Sequence, residues 1–403
     1  TAGGPMHGPG GESYYAAIWA NDQAEYINPY FPFTGYDYGN ASALNSYLMF
    51  ARFMNPDMKP IPSSIIAEGT DIWNGAGDRG DAAMIAYGAA RYALARGDIQ
   101  EARQLWPLIE WCLNYCKHKL NADGVVMSNT DELEGRFPAG DANLCTSSLY
   151  YDALLSASSL AKELGMNGAQ YKKQAANLRR NINKYFAGPI EGFDTYIYYK
   201  GNDVLRSWIC IPLVMGIDEK AAGTLDALFS PRLWTENGLL TQAGDKTFWD
   251  RSTLYALRGA FYVGDTERAL DFLRRYSETR LLGTHVPYAI EAWPEGSQRH
   301  LSAESALYGR IITEGLFGIR PTGFRSFLIR PHLPAAWPQM ELRHVRAFGN
   351  DFSIKVERVT SNPKSQTSNL KSQISNLKVT VTPQGAKPQT FTLRNGETKA
   401  VKL

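Results

Sequence analysis

From about residue 39 to residue 317 the chain repeats one pattern: an apolar helical stretch, a short joint, then an amphipathic helical stretch. Candidate helices cover about 40–54, 79–96, 99–119, 145–164, 168–186, 203–215, 218–229, 249–263, 266–277 and 301–317. Stretch 79–96, RGDAAMIAYGAARYALAR, is small or apolar on nearly all sides and reads as an inner helix, with the arginines near its end countering the helix dipole. The next stretch, IQEARQLWPLIEWCLNYCKHKL, has one polar and one apolar face and reads as its outer partner. Pro107 is expected to kink that helix or to mark its start. Gly-Asp joints (Gly97-Asp98, Gly264-Asp265) link such pairs, as in stacked helical hairpins. A ring of hairpins is the natural closure, because each inner helix then has apolar neighbours on both sides.

After Gly318 the period changes to two. FRSFLIRPHL, MELRHVRAFG, DFSIKVERVT, KVTVTPQG, QTFTLRNG and KAVKL read as short antiparallel strands of a small C-terminal β-sandwich. Within it, 361–378 (SNPKSQTSNLKSQISNLK) repeats every seven residues, yet Ser, Asn, Lys and a proline cannot nucleate a coiled coil. It is expected to be a low-complexity insertion. The Gly/Pro-rich start, TAGGPMHGPGG, reads as a linker or cut end rather than a signal peptide. The expected division is therefore 1–14 linker, 15–320 helical ring and 321–403 β-domain.

Several functions are disfavoured by composition. Lys plus Arg number 42 against 40 Asp plus Glu, so no basic field exists to hold nucleic-acid phosphates. No apolar run reaches the roughly 20 residues of a membrane-spanning helix. Four cysteines (Cys112, Cys116, Cys145, Cys210) are too few for a disulfide framework. Cys112 and Cys116, four apart on a helix, read as packing residues. The six histidines are scattered without zinc spacing, and no P-loop, G-x-S-x-G or G-x-G-x-x-G occurs. No cofactor or metal is implied.

Nine Trp and 22 Tyr, many beside acids, point to a carbohydrate partner, because sugars lay C–H faces on aromatic rings while carboxylates take their hydroxyls. Glycosidases place a carboxylic acid and a carboxylate on either side of the scissile bond. In a ring of hairpins such groups come from loops at one end. Four acidic segments qualify. WANDQAEYINPYFPF (19–33) offers Trp19, Asp22 and Glu25. IIAEGTDIWNGAGDRGD (65–81) offers Glu68, Asp71 and Trp73, with Asp78 or Asp81 as helix caps. SNTDELEGRFPAGDANL (128–144) offers Asp131 and Glu132. PYAIEAWPEGSQRHLSAES (287–305) offers Glu291 in an aromatic frame that raises a carboxyl pKa, with Trp293 and His300 beside it. Trp249 and Asp250 open another helix.

The order of these segments resembles the six-hairpin glycosidases, the (α/α)6-barrel superfamily that includes bacterial α-L-rhamnosidases and maltose-type phosphorylases. The clearest stretch is EAWPEGSQRHLSAESALYGRIITEGLFGIRPTGFRSFLIRPHLP (291–334), similar to the rhamnosidase segment where a Trp/Glu loop precedes the last barrel helix, a Gly-Ile-x-Pro turn and an I-x-P strand. That resemblance implies Glu291 as general base. GDRGDAAMIAYGAARYALARGD (77–98) is similar to the helix after the rhamnosidase G-D-A motif. Where rhamnosidases carry their acid in an R-D-E-R-L-G-W-like segment, this chain has DQAEY, making Glu25 one candidate acid. TDELEG (130–135) is similar to the P-D-E-Y segment of the phosphorylase branch and favours Glu132.

Together these readings predict a mostly α protein, an (α/α)6 toroid followed by an antiparallel β-sandwich. Its expected activity is that of an inverting exo-glycoside hydrolase with Glu132 as acid and Glu291 as base. Asp22, Trp19, Glu68, Asp71, Trp73, Asp131, Trp249, Asp250, Trp293 and His300 would contact the sugar. A phosphorylase or polysaccharide lyase on the same toroid, or a carbohydrate-binding protein without turnover, are the alternatives. The expected location is periplasmic or secreted, with the cytoplasm as the alternative.

Overall fold

The computed structural model describes residues 4–8, 17–66, 77–133, 135–282, 292–293, 302–359 and 376–403. Its helices alternate between an inner and an outer position. The inner six are α1 (Ala20–Ile27, π-helical), α3 (Asp81–Arg96), α5 (Leu144–Glu163), α7 (Ile211–Met215, entered through a 3-10 turn over Ser207–Cys210), α9 (Asp250–Val263) and α11 (Ser302–Arg310, continued as a π-helix over Ile311–Leu316). Between them run α2 (Asp37–Ala51), α4 (Ile99–His118), α6 (Ala169–Phe186), α8 (Ala221–Leu228) and α10 (Thr266–Tyr276). Going round the ring, α1 packs on α3, α3 on α5, α5 on α7, α7 on α9, α9 on α11, and α11 back on α1. That closure makes the fold the (α/α)6 toroid.

Burial follows position in the ring. Every residue of α3 from Asp81 to Ala95 is buried, whereas α6 buries only Tyr171, Ala175, Leu178, Ile182 and Phe186 along one stripe. Close inner packing demands small residues. A side chain at Gly88 of α3 would place its Cβ 1.6 Å from the carbonyl oxygen of Ala24, so glycine is required where α1 crosses. The Gly-Asp joints work as helix punctuation. Gly97 (φ +69°) and Gly264 (φ +97°) end α3 and α9 in the left-handed region. Asp98 then caps α4 by accepting the N–H groups of Gln100 (2.7 Å) and Glu101 (3.0 Å). Asp265 makes no such cap and pairs instead with Arg268 at 2.6 Å.

Three local expectations are corrected. Pro107 lies inside a continuous α4 on its exposed side, where water can take the carbonyl that loses its partner. Only Arg96 of the two α3 arginines serves the helix end; Arg91 is buried and ion-paired. Helix α1 has no apolar period, because its buried face includes Asn21, Asp22, Gln23 and Glu25. Cys112 and Cys116 are buried free thiols on α4, as packing residues should be.

The β-region begins at Arg320 with two antiparallel sheets. One holds Arg320–Gly323, Ser326–Ile329 and Lys399–Lys402; the other holds Gln339–Val345, Phe352–Arg358, Asn376–Pro383 and Gln389–Arg394 in that order. Phe327 of the first sheet stacks at 5.4 Å on Phe352 of the second and at 5.0 Å on Phe348 between strands. Phe348 also meets Phe33 edge-on at 5.9 Å and donates its N–H to the carbonyl of Ala95, tying the sheets to the ring. The predicted insertion 361–378 ends early, since Asn376–Lys378 already pair as strand with Arg394, Leu393 and Thr392; the rest of it lies outside the described residues. No helix among the described residues is long and apolar enough to cross a membrane.

Candidate active site

Ion pairs fix the direction of the inner helices. Arg251, at the start of α9, bonds Asp22 near the start of α1 (3.2 Å) and Glu304 near the start of α11 (2.7 Å). Arg91, in the later half of α3, bonds Asp152 of α5 (2.9 Å) and Glu314 past the end of α11 (2.9 Å). Like ends therefore meet like ends, so the inner helices run parallel. Their N-terminal ends, and the loops leading into them, form one face of the ring. Asp22, Glu25, Asp131, Glu132, Trp249 and Asp250 all stand there.

Glu25 of α1 and Glu132 of the loop before α5 are both fully buried, and their carboxyl groups are in hydrogen-bonding contact. The Tyr26 hydroxyl donates to Glu132 and the Tyr255 hydroxyl donates to Glu25. Burial raises both carboxyl pKa values; for Glu132 the adjacent Glu25 adds to the rise, while Tyr26 and Arg251 oppose it. Arg310 and Arg258 stand near Glu25 and favour its charge. The two carboxyls titrate together, with burial and its neighbour pushing Glu132 well above the ordinary carboxylate range and Arg310 and Arg258 opposing the rise at Glu25. Two carboxyls in contact cannot flank a sugar, since glycosidase pairs stand about 5 to 9.5 Å apart. They work as a single proton-holding unit, and a second carboxylate must come from elsewhere.

The other candidates are held by strong partners. Asp131 accepts from the Tyr198 hydroxyl (2.7 Å) and the Leu133 N–H (2.9 Å), with Arg206 at 3.8 Å. Burial raises its pKa against those contacts. Asp250 pairs with Arg280 at 2.9 Å. Trp249 is fully buried, with the guanidinium groups of Arg251 (4.7 Å) and Arg136 (4.9 Å) near its ring. Its indole N–H has no acceptor among the described residues. Trp19 is buried at the entry to α1, with Arg79 at 5.7 Å from its ring. Asp78 and Asp81 lie just before and at the start of α3: Asp78 accepts from the Gly80 N–H (2.9 Å) and Asp81 from the Arg79 N–H (3.0 Å).

Glu68, Asp71, Trp73, Glu291 and His300 lie outside the described residues. The backbone of Ala292–Trp293 is described, and it pairs antiparallel with Phe248–Trp249, Trp249 facing Ala292 in register. The segment after Glu291 therefore lies beside the start of α9. The sequence candidates lie mostly in segments that read as loops, and the inner-helix residues that bind the acids, Tyr26, Arg251, Tyr255 and Arg310, were not among them. The available signal was a charged residue inside an apolar helix, as at Arg251 and Arg258 in DRSTLYALRGAF, two turns apart on one face. No cluster of three metal-ligating side chains occurs among the described residues.

No family model matches the chain, and no curated protein matches it by sequence. Solved structures do share its fold. A Streptomyces avermitilis α-L-rhamnosidase complexed with L-rhamnose is 15% identical over 95% of this chain and 38% of its own, with a TM-score of 0.57. A Thermus thermophilus mannosylglycerate hydrolase in complex with glucose is 13% identical over 77% of this chain and 96% of its own, with a TM-score of 0.57. A cellobiose 2-epimerase from Spirochaeta thermophila is 16% identical over 77% of this chain and 90% of its own, at 0.54. The chain spans only 29% of a similar sialidase and 38% of the rhamnosidase. The fold is the (α/α)6 toroid that this rhamnosidase, hydrolase and epimerase share.

Proposed function

We propose that the protein is an inverting exo-glycoside hydrolase that removes a terminal sugar from an oligosaccharide or glycoconjugate. The observation that carries this reading is the fully buried Glu132 at the face where the inner helices begin, its pKa pushed well above the ordinary carboxylate range by burial and by Glu25. A group kept protonated at neutral pH is what a general acid must be. Glu132 would donate to the departing oxygen, and Glu25 would hold the proton in place beforehand. The base would be Glu291, whose neighbour Ala292 pairs with Trp249. The Trp249 indole N–H is a donor for a sugar hydroxyl, and Trp19, Asp22, Asp131 and Asp250 would line the same subsite. Because Glu25 and Glu132 are fully buried, sugar binding would have to open this face.

Glu132→Gln tests the acid. Turnover of aryl glycosides with poor leaving groups should fall by about 10²–10⁴-fold, and highly activated aryl groups, which need no protonation, should restore much of it. Equal loss with both leaving groups would remove Glu132 from the acid role. The burial of the carboxyl pair favours one alternative, a carbohydrate-binding protein without turnover. Saturable sugar binding with no product over days would decide for it.

A further inference from the structure

Behind the Glu25–Glu132 pair, toward the C-terminal ends of the inner helices, lies a compact cluster of charge that reaches Glu25 through Arg310. Four arginines meet there: Arg91 of α3, Arg258 of α9, Arg310 of α11, and Arg320 just beyond the ring. The acids facing them are Asp152 and Glu314, with Glu25 also near Arg310 and Arg258. Asp152 is fully engaged by Arg91 (3.0 and 2.9 Å), Arg320 (2.5 Å) and Ser156 (3.1 Å). Glu314 accepts from Arg310 (2.5 and 3.2 Å) and Arg91 (2.9 Å).

Arg258 is left over. It is 1% exposed, yet Nε, Nη1 and Nη2 all lack a hydrogen-bond acceptor. Its approach to Glu314 stops at 3.5 Å without hydrogen-bond geometry, and its guanidinium lies 4.4 Å from the Tyr255 ring centre. A buried guanidinium with three unspent donors is costly unless something accepts from it. The charges do not balance either. Four guanidinium groups face the two carboxylates Asp152 and Glu314, whose pKa values are lowered, while burial raises both carboxyls of the Glu25–Glu132 pair against full charge, so positive charge is in excess among the described residues.

Arg258 also borders a small cavity, walled by Arg91, Arg320, Tyr262, Glu314, Val214 and Ile319. Its volume is about 10 Å³, room for one small occupant. Sulfate and phosphate are too large. We propose that this cavity binds one monovalent anion of halide size, chloride above all, held by Arg258 with Arg91 and Arg320 beside it. The occupant supplies the missing acceptor and the missing negative charge together. A water molecule would supply only the first. The inference rests on the packing of this end of the ring and stands apart from any glycosidase activity.

Thermal unfolding of the whole chain in sodium gluconate, titrated with sodium chloride or bromide at constant ionic strength, tests it. Both halides should raise the Tm saturably by a few degrees, and Arg258→Met should lose that response. A crystal grown in bromide should show an anomalous peak within hydrogen-bond distance of Arg258. Equal Tm values in halide and gluconate, with no bromide peak at Arg258, would overturn the site. Should Arg258→Met fail to fold, the crystal decides alone: a bromide peak supports the proposal, and its absence or a water in that place defeats it.

Discussion

Glu25, on the first inner helix, and Glu132, on the loop before α5, meet carboxyl to carboxyl inside the ring. The contact assigns different parts to the two residues. Burial and Glu25 push the Glu132 pKa well up and favour its neutral form, while Arg310 and Arg258 oppose the rise that burial causes at Glu25. Glu132→Gln replaces a neutral group by a neutral isostere and should leave the Tm within a few degrees at pH 7. Glu25→Gln removes the charge and should cost about 1–3 kcal/mol in chemical denaturation. A Glu132→Gln protein clearly less stable than Glu25→Gln would reverse the assignment.

Glu314 gives a prediction for acid. Burial opposes its charge, but Arg310, Arg258 and Arg91 overcome that and hold its pKa down at about 2, against an ordinary value of 4.5. Asp152 is lowered in the same way by Arg320 and Arg91. The unfolded chain takes up protons at these acids below their ordinary values, and the folded protein does so only lower. Their stabilisation is therefore complete above about pH 4.5 and is lost as pH falls toward 2. For Glu314 alone it amounts to about 3 kcal/mol. Glu314→Gln removes the carboxylate that three buried arginines face and should cost about 3–5 kcal/mol at pH 7 in urea melts, flattening the acid limb. A loss under 1 kcal/mol would contradict the ion-pair account.

Asp81 pulls the other way. Burial raises its pKa from 3.8 to about 6 despite Arg79. The folded state then holds a proton that the unfolded chain has released, so this group's contribution is present below pH 3.8 and is lost as pH rises through 6. Together with Glu314, this places the stability maximum of the wild type in mildly acidic solution. Urea melts at half-unit pH steps check it; a maximum above pH 8 would count against the assignment.

Phe348 is the joint between ring and sheets. It is fully buried, stacks on Phe327 and meets Phe33 edge-on. Phe348→Ala should cost about 3–5 kcal/mol. Limited proteolysis should then release the β-region before the helices; cleavage no faster than in the wild type would show that the two parts do not depend on this contact.

The helical part of the fold was legible because outer helices such as α6 and α10 have to show one apolar face, and inner ones such as α3 are apolar all round. Helix α1 was not, and the reason is the same chemistry that makes it interesting. Asp22 and Glu25 turn onto Arg251, Tyr255 and Glu132, and Asn21 and Gln23 are buried beside them, so the segment has the composition of a loop. The acidic segments stood out from their aromatic surroundings, yet nothing in linear order tells that Glu25 touches Glu132. That contact depends on ring closure between α1, α3 and α5. The arginines that balance the acids were invisible for a related reason: Arg91, Arg258 and Arg310 sit in apolar helices, where a single charge reads as a surface residue until its partners are known.

The most direct test of the glycosidase reading follows hydrolysis of a panel of aryl glycosides by proton NMR, with wild type, Glu132→Gln and Glu291→Gln side by side. The wild type should release one sugar with its anomeric configuration inverted, and Glu291→Gln should release none while melting within a few degrees of wild type. Glu132→Gln should cleave only activated substrates. Retention of configuration, full activity in either variant, or no cleavage of any substrate by the wild type would contradict the account.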